Sequence, residues 1–204
     1  TSSHGTPKDL LDEAITLLFA GQDTGAATLS WTLHLLSLHP DVQERLAQEV
    51  LESVAKTAAS EFTKMPFLDA VLKESMRLFP VAPFVVRRLA QDVVLSDVTL
   101  PRNTLACIWI YSLHRNPEVW QDSPDKFVPQ RWLLNGGGSV SGEQQPGRSL
   151  SKLELASYMP FCAGPRNCLG QPMAHVWLRV ILGTVMQSIE FVDDRLTATK
   201  NPQD

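Results

Sequence analysis

The sequence contains little cysteine, no excess of basic charge and no long apolar run, and each absence excludes a class of protein. Its three cysteines, Cys107, Cys162 and Cys168, are an odd and sparse set, which is a poor disulfide framework and fits a reducing compartment. The 18 basic and 22 acidic residues give a net charge of -4, so there is no electrostatic footprint for nucleic acid. We therefore expect no nucleic-acid partner.

No uninterrupted apolar stretch approaches the roughly 20 residues that a helix needs to cross a bilayer, and no signal peptide opens the chain. The sequence begins at Thr1 and enters a long apolar segment almost at once. We therefore expect a piece of a larger protein. The content of 44% apolar and 20% charged residues is ordinary for a globular protein with a core.

Hydrophobic periodicity predicts three helices in the first part of the chain. The pattern over residues 7–38 is helical and apolar on all sides, which predicts a helix about 45 Å long that is buried all round. A second helix is expected over residues 42–55 with Asp41 as its cap, and a third over residues 68–79, where Pro80 stops it.

In the second part of the chain the helical periodicity gives way to short runs separated by turn residues. Residues 89–113 alternate β-branched runs with turn signals at 96–97 and 101–103, which predicts a small meander of short strands. Residues 135–150 are expected to form a flexible insertion, and Pro172 opens a last helix. The order of elements predicts a mainly α fold with a small β meander, that is, an α+β protein.

The stretch FCAGPRNCLG, residues 161–170, holds two cysteines six positions apart. A disulfide between Cys162 and Cys168 conflicts with the sparse cysteine content, and a structural zinc lacks further ligands at short spacing. Cys162 lies beside Phe161, so we expect it to be buried as a small hydrophobic residue. Cys168 stands just before a helix N-terminus, where the dipole and free N–H groups stabilise a thiolate.

The glycines and the arginine around Cys168 suit a metal-bound thiolate. Gly164 and Gly170 allow the backbone to fold closely around the sulfur, so that N–H groups can point at it. Arg166 offers a fork that suits a carboxylate beside the metal. The pattern favours a seat for one metal-bound cysteine.

Together with Phe161, these residues form the pattern Phe-x-x-Gly-x-Arg-x-Cys-x-Gly, which resembles the haem-binding signature of the cytochrome P450 superfamily, the haem-thiolate monooxygenases. The resemblance implies that Cys168 is the axial ligand of the iron in haem b and that Arg166 binds a haem propionate. It also implies that Phe161, Gly164 and Gly170 surround the thiolate as part of the cofactor site.

The resemblance covers nearly all of residues 1–204 but matches only the C-terminal part of a family member. It implies a partial cytochrome P450 domain that runs from the long oxygen-binding helix through the haem-thiolate loop to the helix that follows. The membrane anchor, the lid helices and the terminal hairpin of family members would lie outside it, together with partners of the long apolar helix.

The third predicted helix contains Glu74 and Arg77, which by themselves form an exposed surface pair in many helices. In the family, this Glu-x-x-Arg pair joins an arginine from a later Pro-x-Arg segment, and Arg131 supplies it here. The resemblance therefore implies a buried structural network of three side chains that shapes the cysteine loop. Trp132 departs from the commoner phenylalanine.

The segment AGQDTG, residues 20–25, interrupts the long apolar helix. Its two glycines each cost about 1 kcal/mol relative to alanine and predict a close approach or a distorted turn. Asp23 is a carboxylate among apolar neighbours, and Thr24 alone would indicate only a bond back to its own helix. Together they resemble the family's oxygen-activation motif, in which Gly21 leaves room for oxygen, Thr24 hydrogen-bonds it and Asp23 helps to deliver protons.

A further family pattern, Pro-x-x-Pro-x-x-x-Arg, matches Pro80, Pro83 and Arg87. The resemblance implies that Arg87 binds the second haem propionate, with Arg88 as a competitor and a solvent-facing arginine as the alternative. Arg179 matches a place at which family members carry a basic residue that faces an electron-donating partner.

These matches imply an oxidoreductase, a monooxygenase that inserts one oxygen atom from O2 into an apolar, lipid-like substrate such as a fatty acid or a sterol. A flavoprotein reductase would supply the electrons. Residues 113–117 and 158–171 look most like eukaryotic microsomal fatty-acid hydroxylases, which implies the cytosolic face of the endoplasmic reticulum membrane and an N-terminal anchor outside this chain. Residues 131–133 look more like mitochondrial sterol hydroxylases, so the mitochondrial inner membrane is the alternative.

Two other functional classes stay open. A haem-thiolate isomerase or dehydratase rearranges peroxides without outside electrons and has less use for Asp23 and Thr24. A truncated chain that cannot hold haem firmly is the third class, and we expect the piece alone to be inactive.

Overall fold

The structure, a computed structural model, describes residues 6–56, 65–121, 123–133 and 150–194. Within these ranges the elements are, in chain order, α1 Pro7–Leu38, α2 Pro40–Lys56, α3 Pro66–Leu78, β1 Val85–Arg88, β2 Val93–Leu95, β3 Val98–Leu100, β4 Leu105–Ile108, α4 Ile110–Leu113, α5 Lys152–Ser157 and α6 Gln171–Val185. Short 3-10 helices span Pro129–Trp132 and Gly164–Arg166. Apart from Leu150, the predicted insertion over 135–150 lies outside the described residues.

α1 has the predicted bounds, but its first half is exposed and not buried. Thr6 and Asp9 begin it as a capping box, since the Thr6 N–H donates to the Asp9 carboxylate at 2.7 Å and the Asp9 N–H donates to the Thr6 hydroxyl at 3.3 Å. Its buried residues all lie within 25–36, whereas its large apolar side chains within 10–19 are more than half exposed. Burial on all sides is therefore not reached within the described residues, and the resemblance places partners of this helix outside them.

α3 is the central helix, since ten of its 13 residues are buried. The N–H groups of Phe67 and Leu68 in its first turn donate to the Glu49 carboxylate of α2 at 2.9 and 2.8 Å, so a side chain from another helix satisfies them. α2 begins at Pro40, which places Asp41 in the first turn and not at the cap that the sequence predicted.

The apolar core lies where α2, α3 and α6 pack against the second half of α1. Its most buried members include Leu36, Leu46, Val50, Leu68, Val71, Leu178 and Leu182. The chain beyond α6 is tied to α2, because the Gln43 amide donates to the Phe191 carbonyl at 2.9 Å and accepts from the Phe191 N–H at 2.8 Å.

Short strands are present over the predicted range 89–113 as β2, β3 and β4, whereas β1 precedes that range and the last residues of the range form the helix α4. The strands pair as nested hairpins and not as a meander. The hairpin of β2 and β3 lies between β1 and β4, which pair antiparallel with Val86 opposite Cys107. Ser96 and Asn103, in the predicted turns, have left-handed φ angles of 52° and 71°. Turn signals locate strand ends, whereas the choice of partner depends on contacts between distant parts of the chain.

α1 crosses α6 at Gly25. A Cβ on Gly25 would lie 1.7 Å and 2.0 Å from two ring carbons of Trp177, whereas a Cβ on Gly21 would meet nothing within 4 Å. α1 is a continuous α-helix through both positions. The close approach that the two glycines predicted is therefore present at Gly25, and no distorted turn accompanies it.

We expect Gly25→Ala to lower the free energy of unfolding by about 1–3 kcal/mol, because the added methyl overlaps the indole ring. Gly21→Ala is the matched control and should be neutral or stabilising by up to about 1 kcal/mol, since alanine is the better helix former in open space. Denaturant titration of the complete polypeptide measures both changes. Equal effects at the two positions would contradict the crossing at Gly25.

Candidate functional site

The fully buried carboxylate of Glu74 on α3 is the centre of a charge network. It accepts hydrogen bonds from Arg77 Nε at 2.9 Å and Nη2 at 2.8 Å, Arg131 Nε at 3.0 Å, the Val128 N–H at 3.0 Å and Trp132 Nε1 at 2.8 Å. A buried carboxylate is costly unless it is paired and hydrogen-bonded. These contacts meet that requirement and assemble the three predicted side chains.

Arg77, which is also fully buried, extends the network to the backbone. Its guanidinium donates to the carbonyl oxygens of His114 at 2.8 Å, Pro124 at 2.6 Å and Lys126 at 3.1 Å. Together with the two bonds to Glu74, these contacts use all five N–H donors of an arginine. The side chain therefore holds two separate loop segments against α3.

Trp132 has a role that the sequence did not reveal. Its indole N–H donates to Glu74 at 2.8 Å, which phenylalanine cannot do. The ring also packs on Tyr158, at the end of α5, with a centroid distance of 4.5 Å, and the Tyr158 hydroxyl donates to the Lys73 carbonyl of α3 at 3.2 Å. Trp132 thereby connects the charge network to the segment that leads into the cysteine loop.

The cysteine loop is a tight turn between Phe161 and Cys168. The Cys168 N–H donates to the Phe161 carbonyl at 2.9 Å, and the Asn167 N–H donates to the Gly164 carbonyl at 3.1 Å. Gly164 has a φ angle of 79° and Cys162 one of 63°, so the backbone is left-handed at a glycine, as a close turn favours. Both thiols are free, with Cys168 exposed and Cys162 half-buried.

The surroundings of the Cys168 sulfur are open on one side. A Cβ on Gly170 would lie 3.9 Å from Sγ, which is an ordinary contact distance, so a methyl there would cover the sulfur without a clash. Gly170 is the N-cap of α6, which places the thiol just before a helix N-terminus. No group of three His, Cys, Asp or Glu side chains suited to a metal ion occurs in the described part of the chain.

Arg87 and Arg166, the predicted propionate partners, are both exposed. Arg87 lies on β1 and donates to the Val86 carbonyl at 2.9 Å, and the neighbouring Arg88 donates to the Asn103 carbonyl at 3.3 Å. Neither Arg87 nor Arg166 forms an ion pair within the described ranges. Both guanidinium groups are therefore accessible to an anionic group.

Asp23 and Thr24 lie on the exposed surface of α1. The Thr24 hydroxyl donates to the Ala20 carbonyl at 2.6 Å, and Thr16 makes the same bond to Asp12 at 2.7 Å, as mid-helix threonines commonly do. Asp23 was expected among buried apolar neighbours. Among the described residues Asp23 is exposed instead, and the large apolar side chains of residues 10–19, which precede it on α1, are exposed as well.

Arg179 on α6 forms a two-point ion pair with Asp69 on α3. Its Nε contacts Oδ1, and its Nη2 donates to Oδ2 at 3.0 Å. This fork geometry is the stronger form of an arginine–carboxylate pair. The arginine that the sequence assigned to a partner-facing position thus also fastens α6 to α3.

The predicted site residues fall into separate groups. Glu74, Arg77 and Arg131 are in direct contact, and Phe161 is hydrogen-bonded to Cys168. Among the residues that the structure describes, no hydrogen bond or ion pair joins Gly21, Asp23 and Thr24 of α1 to Cys168, Arg87 or Arg166. The scaffold on the cysteine side is therefore assembled by contacts within this chain.

Comparison with known proteins places this architecture in a family. The cytochrome P450 family model matches residues 2–204, and the chain belongs to that family. Human cytochrome P450 4F12 is 38% identical over 193 residues, human cytochrome P450 4F3 is 34% identical over 202, and mouse cytochrome P450 3A11 is 34% identical over 186.

These matches cover 90–96% of this chain but 34–36% of each of the three relatives. The chain therefore spans about a third of the length of the curated relatives it matches. In the part of the chain that the structure describes, every helix is too short or too polar to cross a membrane.

We expect Trp132→Phe to lower the free energy of unfolding by about 1.5–3 kcal/mol, the range for a hydrogen bond to a charged group. Trp31→Phe is the control, since the Trp31 ring stacks on Phe79 and its indole N–H has no hydrogen-bond partner among the described residues, so the substitution removes ring volume but no bond to a charged group. Denaturant midpoints of the complete polypeptide measure both. A loss at Trp132 no larger than the loss at Trp31 would contradict the role assigned to the Glu74 contact.

Proposed function

We propose that this chain is the haem-thiolate part of a monooxygenase that inserts one oxygen atom from O2 into an apolar, lipid-like substrate. The observation that carries the proposal is the exposed free thiol of Cys168, held in a glycine-containing loop at the N-terminus of α6. A haem iron with a thiolate ligand supplies the chemistry that cleaves the O–O bond of oxygen. Membership of the cytochrome P450 family supports the assignment.

The residues next to Cys168 fit a large apolar ring system. Leu169 is 88% exposed, and Met173 and Val176, three residues apart on α6, are 63% and 49% exposed. Side chains at this spacing share one helix face, and apolar groups grouped at a surface favour a ligand that covers them. We assign this face to the haem.

Two accessible guanidinium groups fit the two propionates. Arg87 and Arg166 are exposed, with no ion pair in the described ranges, and arginine binds carboxylates through two parallel N–H bonds. Arg88 is the competitor of Arg87, and each of the two donates one hydrogen bond to a backbone carbonyl, Arg87 to Val86 and Arg88 to Asn103.

The loop geometry suits a thiolate ligand. Cys168 lies just before the N-terminus of α6, where the backbone N–H groups carry a positive partial charge. The Phe161 ring packs on His175 of α6 with a centroid distance of 5.0 Å, so the beginning and the end of the loop are both fastened to the same helix. Gly164, in a left-handed conformation, closes the turn between them.

Proton delivery is assigned to Asp23 and Thr24. The Thr24 hydroxyl donates its proton to the Ala20 carbonyl, and its oxygen keeps lone pairs that can accept another hydrogen bond. Asp23 is exposed beside it, where a carboxylate can exchange protons with water and act in acid–base transfer. Gly21, beside which an added Cβ would meet open space, leaves room for the oxygen that receives the proton.

The remaining assignments concern the complete protein. We propose a flavoprotein reductase as electron donor, a fatty acid or a sterol as substrate, and attachment to the cytosolic face of the endoplasmic reticulum membrane through an anchor outside this chain. The resemblance of residues 113–117 and 158–171 to microsomal fatty-acid hydroxylases supports these assignments.

The ligand assignment is tested by carbon monoxide binding to the reduced complete polypeptide. We expect the thiolate-shifted Soret band in the unmodified protein and in Cys162→Ser, and its loss in Cys168→Ser, because a serine hydroxyl does not supply a thiolate. The two cysteines share one loop, so the first variant controls for disturbance of its fold. Survival of the band in Cys168→Ser would show that another group binds the iron.

The proton-delivery assignment is tested by Thr24→Ala. We expect this substitution to uncouple electron consumption from product formation by about tenfold or more, in line with the 10²–10⁴-fold contribution of a positioned acid or base. Thr16→Ala is the matched control, because it removes the same bond to the carbonyl four residues earlier. Unchanged coupling in Thr24→Ala, with product still formed, would remove Thr24 from the mechanism.

A further inference from the structure

His114, the residue that follows α4, is a fully buried titratable side chain to which the proposed function gives no role. Its carbonyl oxygen accepts from Arg77 at 2.8 Å. Its ring stacks on the Tyr158 ring with a centroid distance of 5.5 Å and an angle of 25°. The imidazole thus lies between the charge network of α3 and the segment that enters the cysteine loop.

The hydrogen bonds of the ring define its protonation. The Met159 N–H donates to Nε2 at 2.9 Å, so Nε2 carries no proton. Nδ1 lies 3.1 Å from the Arg77 carbonyl, which can only accept, so Nδ1 carries the proton. The ring is therefore neutral, and both of its nitrogens are used.

These two bonds connect parts of the chain that are far apart in sequence. The contact with Arg77 spans 37 residues and the contact with Met159 spans 45. Met159 lies two residues before Phe161, where the cysteine loop begins. A hydrogen bond from the Met159 backbone to a buried ring therefore fixes the position, relative to α3, of the segment that enters the cysteine loop.

We propose that His114 is a positioning residue that anchors the entry to the cysteine loop on the charge network of α3, and that protonation of its ring releases this anchor. A second proton on Nε2 would face the Met159 N–H, so the bond that holds the loop would be replaced by a repulsion between two donors. The effect on Cys168 rests on the proposed function, whereas the anchor itself does not.

The charges around the ring oppose its protonation. The groups that face it are Arg77 on α3, Arg115 on the segment after α4 and the phenol of Tyr158 at the end of α5. Burial lowers the pKa of His114 from its ordinary value of 6.5 to about 4, and the charges of Arg77 and Arg115 act in the same direction. Because the unfolded chain takes up this proton first, the stabilisation is complete above about pH 6.5 and is lost as the pH falls toward 4.

Two substitutions separate the two bonds of the ring. His114→Asn keeps a donor near the position of Nδ1 for the Arg77 carbonyl and removes the acceptor of the Met159 N–H. His114→Gln reaches the position of Nε2 and keeps an acceptor that does not titrate in this range. The pair therefore tests the bond to Met159 and the proton on the ring independently.

Amide hydrogen exchange of the complete polypeptide measures the protection of the Met159 N–H directly and does not require haem. We expect the peptide that contains Met159 to exchange about tenfold faster in His114→Asn and within about threefold of the unmodified protein in His114→Gln, as for a local opening. Corrected for intrinsic rates, its protection should fall between pH 7 and 5 in the unmodified protein but not in His114→Gln. Unchanged protection in His114→Asn, or the same pH response in both proteins, would overturn the anchor.

If His114→Asn does not fold, the comparison of pH responses between the unmodified protein and His114→Gln still decides. The carbon monoxide complex then tests the consequence for the thiolate. We expect a smaller thiolate-shifted band in His114→Asn and a full band in His114→Gln. A full band in a His114→Asn protein with fast exchange overturns the positioning of Cys168. Survival of the band in Cys168→Ser overturns the proposed function and leaves the anchor standing.

Discussion

The structure depends on the burial of one carboxylate, that of Glu74. A buried anion without partners is destabilising by several kcal/mol, so the chain must bring donors to it from three places: α3 itself, the backbone at Val128 and the 3-10 helix that carries Arg131 and Trp132. Arg77 in turn needs acceptors for its remaining N–H groups and finds them in the carbonyls of two loops. The demand for satisfied charges therefore shapes these loops together with the burial of Trp120 and Phe127.

The cysteine loop depends indirectly on the burial of the Glu74 carboxylate. Residues 163–169 are exposed, so hydrophobic burial does little to hold them. The loop is instead held at its entry, where Trp132 packs on Tyr158 and His114 accepts from the Met159 N–H, and at its exit, where α6 is fastened to α3 by Arg179 and Asp69. A side chain on such a loop can be accessible and still have a defined position, because the groups that support the loop are buried or half-buried.

The two sides of the proposed site differ in how far this chain completes them. Cys168 has its supports among the described residues, whereas Asp23 and Thr24 are exposed on α1, just after the stretch 10–19 whose large apolar side chains are exposed. Thr24 accordingly shows the local bond to Ala20 that any mid-helix threonine can form. Gly25 shows the opposite case, since its missing side chain is required by Trp177, a contact within this chain.

The sequence by itself determined the four long helices and the strands β2 to β4, but not α4, α5 or β1. Its signals are local: proline at helix starts, apolar periodicity and turn residues such as Asn103. It also predicted Glu74, Arg77 and Arg131 as one network, through a resemblance. Tertiary structure alone decided the nested order of the hairpins, the exposure of Asp23, the bond from Trp132 to Glu74 and the neutral form of His114. Each of these depends on which distant groups come into contact, and a residue's own neighbours along the chain do not specify that.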